Sequence, residues 1–174
     1  MKPRRLLQWA VVILAALGGP FVHAAGNGLS LGNVSAAAKG RVIVPLMLEI
    51  ENEDVKVGHI TATVGYDATV ATFDMAEKGF LLDGVGGKMT VSAKPDGAKS
   101  TIAVDVITEG NPRQALRKGL VLSLVFKVNE KAVSDTKMPL TLSAVTLYTS
   151  DAEPKELTAL NLTPGEIQDR KSTR

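Results

Sequence analysis

The chain has 174 residues, 45% of them hydrophobic and 22% charged, which fits one globular domain with a core of its own. It has no cysteine, so disulfide scaffolds, zinc–thiolate sites, cysteine nucleophiles and a lipidated N-terminal cysteine are all excluded. The formal charge is +2, but leaving out Lys2, Arg4 and Arg5 at the extreme N-terminus gives 17 basic against 18 acidic residues, a net of −1, and no electrostatic case for nucleic acid.

The first 25 residues read as a signal peptide. Lys2, Arg4 and Arg5 form a basic n-region, LLQWAVVILAAL (residues 6–17) a short apolar h-region, and Gly18, Gly19 and Pro20 break it. Val22-His23-Ala24 or His23-Ala24-Ala25 supplies the small-residue cleavage site. A membrane-spanning helix needs roughly 20 apolar residues, and this run is interrupted too soon. Cleavage removes Trp9 and leaves His59 as the sole histidine.

From residue 29 the apolar residues alternate, as half-buried strands do. A first strand covers residues 29–34. The second, 41–51, places Val42, Val44, Leu46, Leu48 and Ile50 on one face and Pro45 on the other. Proline cannot donate to a ladder, so this strand is expected at an edge or bulged there. The third strand, 57–66, turns Ile60, Ala62, Val64 and Tyr66 inward and His59, Thr61, Thr63 and Gly65 outward. A weaker fourth strand spans 71–77 and a glycine-rich loop 79–87. The fifth, 88–94, returns through the Pro95-Asp96-Gly97 turn as the sixth, 100–107, with Ile102, Val104 and Val106 inward. Residues 109–118 break the pattern, and RQALRK within them could make one helical turn. A seventh strand covers 120–128, and an eighth 139–148 with Leu140, Leu142 and Ala144 inward. A ninth, 157–168, bends at Pro164-Gly165, and residues 169–174 form a polar tail. Nine strands without a helical stripe predict an all-β, antiparallel two-sheet sandwich over 26–168.

Catalytic patterns are sparse. A Ser-His-Asp site has only His59 to draw on, and there is no Gly-x-Ser-x-Gly elbow. No Gly-x-Gly-x-x-Gly or P-loop pattern precedes a helix, and no histidine set suits hydrolytic zinc. A carboxylate pair is the remaining route, with Asp67, Asp74, Asp83, Asp105 and Glu109 as candidates, but their spacing singles out no pair. Glu51, Glu53 and Asp54 crowd one turn and could hold calcium, but without the spacing or glycine of an EF-hand loop a solvated acidic turn is the favoured reading. No metal or cofactor is expected. Aromatics are few and fall mostly on apolar faces or beside turns, which argues against a flat platform for cellulose.

Several segments together resemble the cohesin domain. They are Gly40-Arg41-Val42-Ile43-Val44-Pro45-Leu46, Val64-Gly65-Tyr66-Asp67-Ala68-Thr69-Val70, and Gly119-Leu120-Val121-Leu122-Ser123-Leu124-Val125-Phe126-Lys127-Val128, followed by Pro164-Gly165-Glu166-Ile167. Ala68 stands where the family usually has proline. The resemblance implies a nine-stranded jelly-roll sandwich that docks a dockerin-type protein partner without catalysis. It also implies that the partner contacts one sheet face, formed by the third, fifth, sixth and eighth strands. The outward residues there are His59, Thr61, Thr63, Thr90, Ser92, Ala103, Asp105 and Ile107. Small hydroxyls with one apolar residue and one charge suit a flat protein interface. The alternative, carried by analogy within the same superfamily, is a module that binds polysaccharide.

Overall fold

The computed structural model describes residues 26–37, 39–130 and 136–170. The signal-peptide reading of residues 1–25 and the last four residues of the tail lie outside the described residues. The strands are β1 (Gly28–Leu31), β2 (Asn33–Ala37), β3 (Arg41–Glu49), β4 (Val57–Asp67) and β5 (Ala71–Lys78), then a short helix α1 (Phe80–Gly84). They continue with β6 (Lys88–Lys94), β7 (Lys99–Ile107), β8 (Gly119–Val128), β9 (Lys137–Thr149), β10 (Asn161–Thr163) and β11 (Gly165–Arg170).

Two sheets form, in the orders β10-β1-β3-β8-β5 and β2-β11-β9-β4-β7-β6. The apolar stripes explain the layering, because each strand has one face to hide. Val42, Val44, Leu46 and Leu48 of β3 and Ile60, Ala62, Val64 and Tyr66 of β4 are all buried. Phe126 fills the centre, fully buried, with Tyr66 and Phe73 edge-on at 5.4 and 5.8 Å between ring centroids.

The all-β sandwich is therefore present, with eleven strands where alternation predicts nine. The first expected strand divides at Gly32 into β1 and β2, and the last divides at Pro164 into β10 and β11. Both halves of each change sheets, and they stay paired with one another in parallel, β1 with β10 and β2 with β11. The remaining pairings are antiparallel. β11 also continues through Arg170, two residues into the segment read as a tail.

Pro45 lies on the central strand β3, not at a sheet edge. Its carbonyl accepts from the Gly32 N–H at 3.0 Å, just past the last β1–β3 pair, Leu31 with Leu46. A residue's N–H and C=O point to the same side of a strand. The donor that proline lacks would thus have pointed where β1 has already left the sheet. A bulge follows between Leu46 and Met47.

Three local expectations need correction. The glycine-rich loop contains α1, whose Leu82 is fully buried. Gly87 is required beside it, because a β-carbon there would lie 2.0 Å from Leu82 Cδ1. The stretch RQALRK forms no helix. Its Leu116 N–H is taken by the Val57 carbonyl at 2.7 Å, and the Gln114 carbonyl accepts from the buried Thr108 hydroxyl at 2.6 Å. Finally, Ala144 is exposed and not inward, at φ 47°. Three steps along β9, from Ser143 to Thr146, oppose two along β4, from Thr63 to Thr61. The extra residue reverses the inward and outward phase of everything after it.

Candidate docking face

The outer face of the sheet β9-β4-β7-β6 is built in transverse rows by strand register. Tyr148, His59, Ile107 and Lys88 make the first row, and Thr146, Thr61, Asp105 and Thr90 the second. Ser143, Thr63, Ala103 and Ser92 make the third, and Thr141, Gly65, Thr101 and Lys94 the fourth. All eight residues singled out from the sequence, His59, Thr61, Thr63, Thr90, Ser92, Ala103, Asp105 and Ile107, fall within the first three rows. Their inward neighbours Ile60, Ala62, Val64, Ile102, Val104 and Val106 belong to the core. The alternation that buries the one set forces the other outward. β-branched threonine also favours this pleated surface.

Six of the eight, Thr61, Thr63, Thr90, Ser92, Ala103 and Asp105, line one open depression of about 360 Å³ together with Ala144. His59 and Ile107 lie just beyond it in the first row. The centre of the face is a carpet of small hydroxyls with one carboxylate. His59 Nε2 stands 3.0 Å from Asp105 Oδ1, with Asp105 the more exposed of the two. On the other side the His59 ring stacks on Tyr148. At the margin Lys88 pairs with Glu109 at 3.1 Å.

Sequence reading missed the β9 contribution, Tyr148, Thr146 and Ser143, and the two lysines of β6. For Tyr148 and Thr146 the bulge is the reason, because continuing the phase of Leu140 and Leu142 turns both inward. A signal was present: the apolar positions move from Leu140 and Leu142 to Val145 and Leu147, an even-to-odd slip across Ser143-Ala144.

The candidate carboxylates are distributed over different elements. Asp67 caps the β4–β5 turn and accepts from the Thr69 N–H at 2.8 Å and its hydroxyl at 2.6 Å. Those bonds, the hydroxyl's first, hold the Asp67 carboxyl below the usual range. Asp74 pairs with Arg41, Asp83 lies in α1, Asp105 meets His59 and Glu109 meets Lys88. In the acidic turn, the Asp54 N–H donates to the Asn52 side chain at 2.9 Å. Among the described residues no cluster of three or more histidine, aspartate or glutamate side chains could hold a metal ion. No helix among them is long and apolar enough to cross a membrane.

The solved structures this chain resembles share its fold. The sixth cohesin of Acetivibrio cellulolyticus scaffoldin B, solved with a mutant dockerin, is 20% identical, with 84% of this chain and 99% of that one covered and a TM-score of 0.65. The OlpA cohesin from a type I cohesin–dockerin complex of Clostridium thermocellum is 18% identical over 82% of this chain and 98% of that one, TM-score 0.70. A non-cellulosomal cohesin from the hyperthermophilic archaeon Archaeoglobus fulgidus is 17% identical over 86% and 94%, TM-score 0.66. No curated protein matches the chain. The family model of the cohesin domain matches residues 28–168, from the start of β1 into β11, and the chain belongs to the cohesin domain family.

Proposed function

We propose that this chain is an exported, non-catalytic docking module that takes a dockerin-type protein on the outer face of β9-β4-β7-β6. One observation carries the reading: a cohesin-family chain presents, on a single sheet, an open hydroxyl-rich face with a central carboxylate. Flat faces of small polar groups around a few larger ones suit protein interfaces. The cohesins of Acetivibrio cellulolyticus and Clostridium thermocellum were each solved bound to a dockerin, which supports the same class of partner here. The basic, apolar and small-residue order of residues 1–25 supports export. The scattered carboxylates, four of the five held by partners of their own, support a role without catalysis.

The test is capture. Calcium-loaded dockerin modules encoded in the same genome are presented to the immobilised protein, with insoluble polysaccharides in parallel. Saturable capture of a dockerin supports the proposal. Retention on polysaccharide with no dockerin bound overturns it in favour of a carbohydrate-binding module.

A further inference from the structure

The hydroxyl carpet gives the face its shape but offers little that is rigid and large enough to anchor a partner. The first row differs. The β9 bulge at Ala144 delivers Tyr148 to the outer face while Leu147 takes the core position beside it, fully buried. Tyr148 then sits in register with His59, and the two rings stack with centroids 5.4 Å apart and planes 20° apart. His59 is in turn held by Asp105 at 3.0 Å. A continuous contact therefore runs Tyr148–His59–Asp105 across three adjacent strands, β9, β4 and β7.

Binding energy at protein interfaces concentrates in a few residues, enriched in tyrosine, tryptophan and arginine, held among near-neutral neighbours. Tyrosine adds large contact area at low entropic cost, the more so when its ring is already fixed by a stack. We infer that Tyr148 is the anchor of the docking face, pre-positioned by the Ala144 bulge and the His59 stack, and that its contact is with an apolar side chain of the dockerin-type partner. This rests on the docking face proposed above and assigns to it a residue on a strand where sequence reading placed none.

The experiment compares wild type, Tyr148→Ala, Tyr148→Phe and Glu77→Ala, the last being exposed on β5 in the opposite sheet. Each is titrated calorimetrically with the dockerin module that wild type captures. Tyr148→Ala is expected to weaken binding by about thirtyfold or more, Tyr148→Phe by much less, and Glu77→Ala by under about threefold. A folded Tyr148→Ala protein that binds within about threefold of wild type overturns the inference and leaves the docking proposal standing. If Tyr148→Ala does not fold, the aromatic resonances of Tyr148 in wild type decide: they move on adding the dockerin if the inference holds and stay put if it fails. Capture of no dockerin by wild type overturns both.

Discussion

Gly165 faces Gly32 at the level where both terminal strands change sheets, and a β-carbon on Gly165 would stand 2.7 Å from the Gly32 carbonyl oxygen. It would also stand 2.7 Å from Leu31 Cβ. The two crossovers, β1 to β2 and β10 to β11, are thus packed backbone to backbone. Overpacking of this kind costs about 1–3 kcal/mol, so Gly165→Ala is expected to lower unfolding stability by that amount in urea. Gly84→Ala, in α1 with nothing within 4 Å of its added β-carbon, should leave stability unchanged or raise it by up to about 1 kcal/mol.

Phe126 should be the costliest single truncation. It is fully buried and meets two other rings at near-perpendicular angles of 70° and 71°. Phe126→Ala is expected to cost about 3–5 kcal/mol in a denaturant melt, a large fraction of what a domain without disulfides has in hand. A loss under about 1 kcal/mol would contradict the placement of this ring at the centre of the core.

Asp67 contributes in a pH-dependent way. Its folded-state carboxyl is depressed by the Thr69 hydroxyl and N–H, so its contribution is present above the unfolded value and lost as pH falls through the folded one. Asp67→Ala is expected to cost about 1 kcal/mol at neutral pH. The gap from wild type should narrow below about pH 4. Paired melts at pH 7 and pH 3 check this, and a gap that widens in acid would contradict the capping role.

Ala144 carries φ 47°, a backbone conformation that costs a non-glycine residue about 1–2 kcal/mol. Ala144→Gly should therefore be neutral or stabilising. At Ala103, an ordinary exposed strand position, the same change should cost about 0.5–1 kcal/mol. Equal losses at both sites would mean that the bulge which sends Tyr148 outward is absent.

Period-two alternation made most of the sandwich legible, because burial on one face leaves a residue-by-residue trace. The strand at residues 88–94 is found with the bounds read from the sequence, and Ile60, Ala62, Val64, Ile102, Val104 and Val106 all point inward as expected. Eight face residues follow from the same rule. What alternation cannot carry is the sheet to which a strand belongs. At Gly32 the inward set moves from Leu29 and Leu31 to Val34 and Ala36, and the segments beside Gly32 and Pro164 are too short for a period of two to reveal the change of layer, so two strands read as one. A bulge made by alanine in place of glycine leaves only the slip of the apolar positions from Leu140 and Leu142 to Val145 and Leu147, which is why Ala144 reads as inward. The single buried turn around Leu82 is too short to show a helical period at all.

The central claim, that the outer face of β9-β4-β7-β6 does the work of this protein, is tested most directly by Ala103→Arg. Ala103 is exposed in the third row, so a long cationic side chain there covers the carpet while changing stability by less than about 0.5 kcal/mol. Calorimetry with the captured dockerin should show binding weakened by about a hundredfold or more in the folded variant. An affinity equal to that of wild type would place the docking surface elsewhere on the molecule.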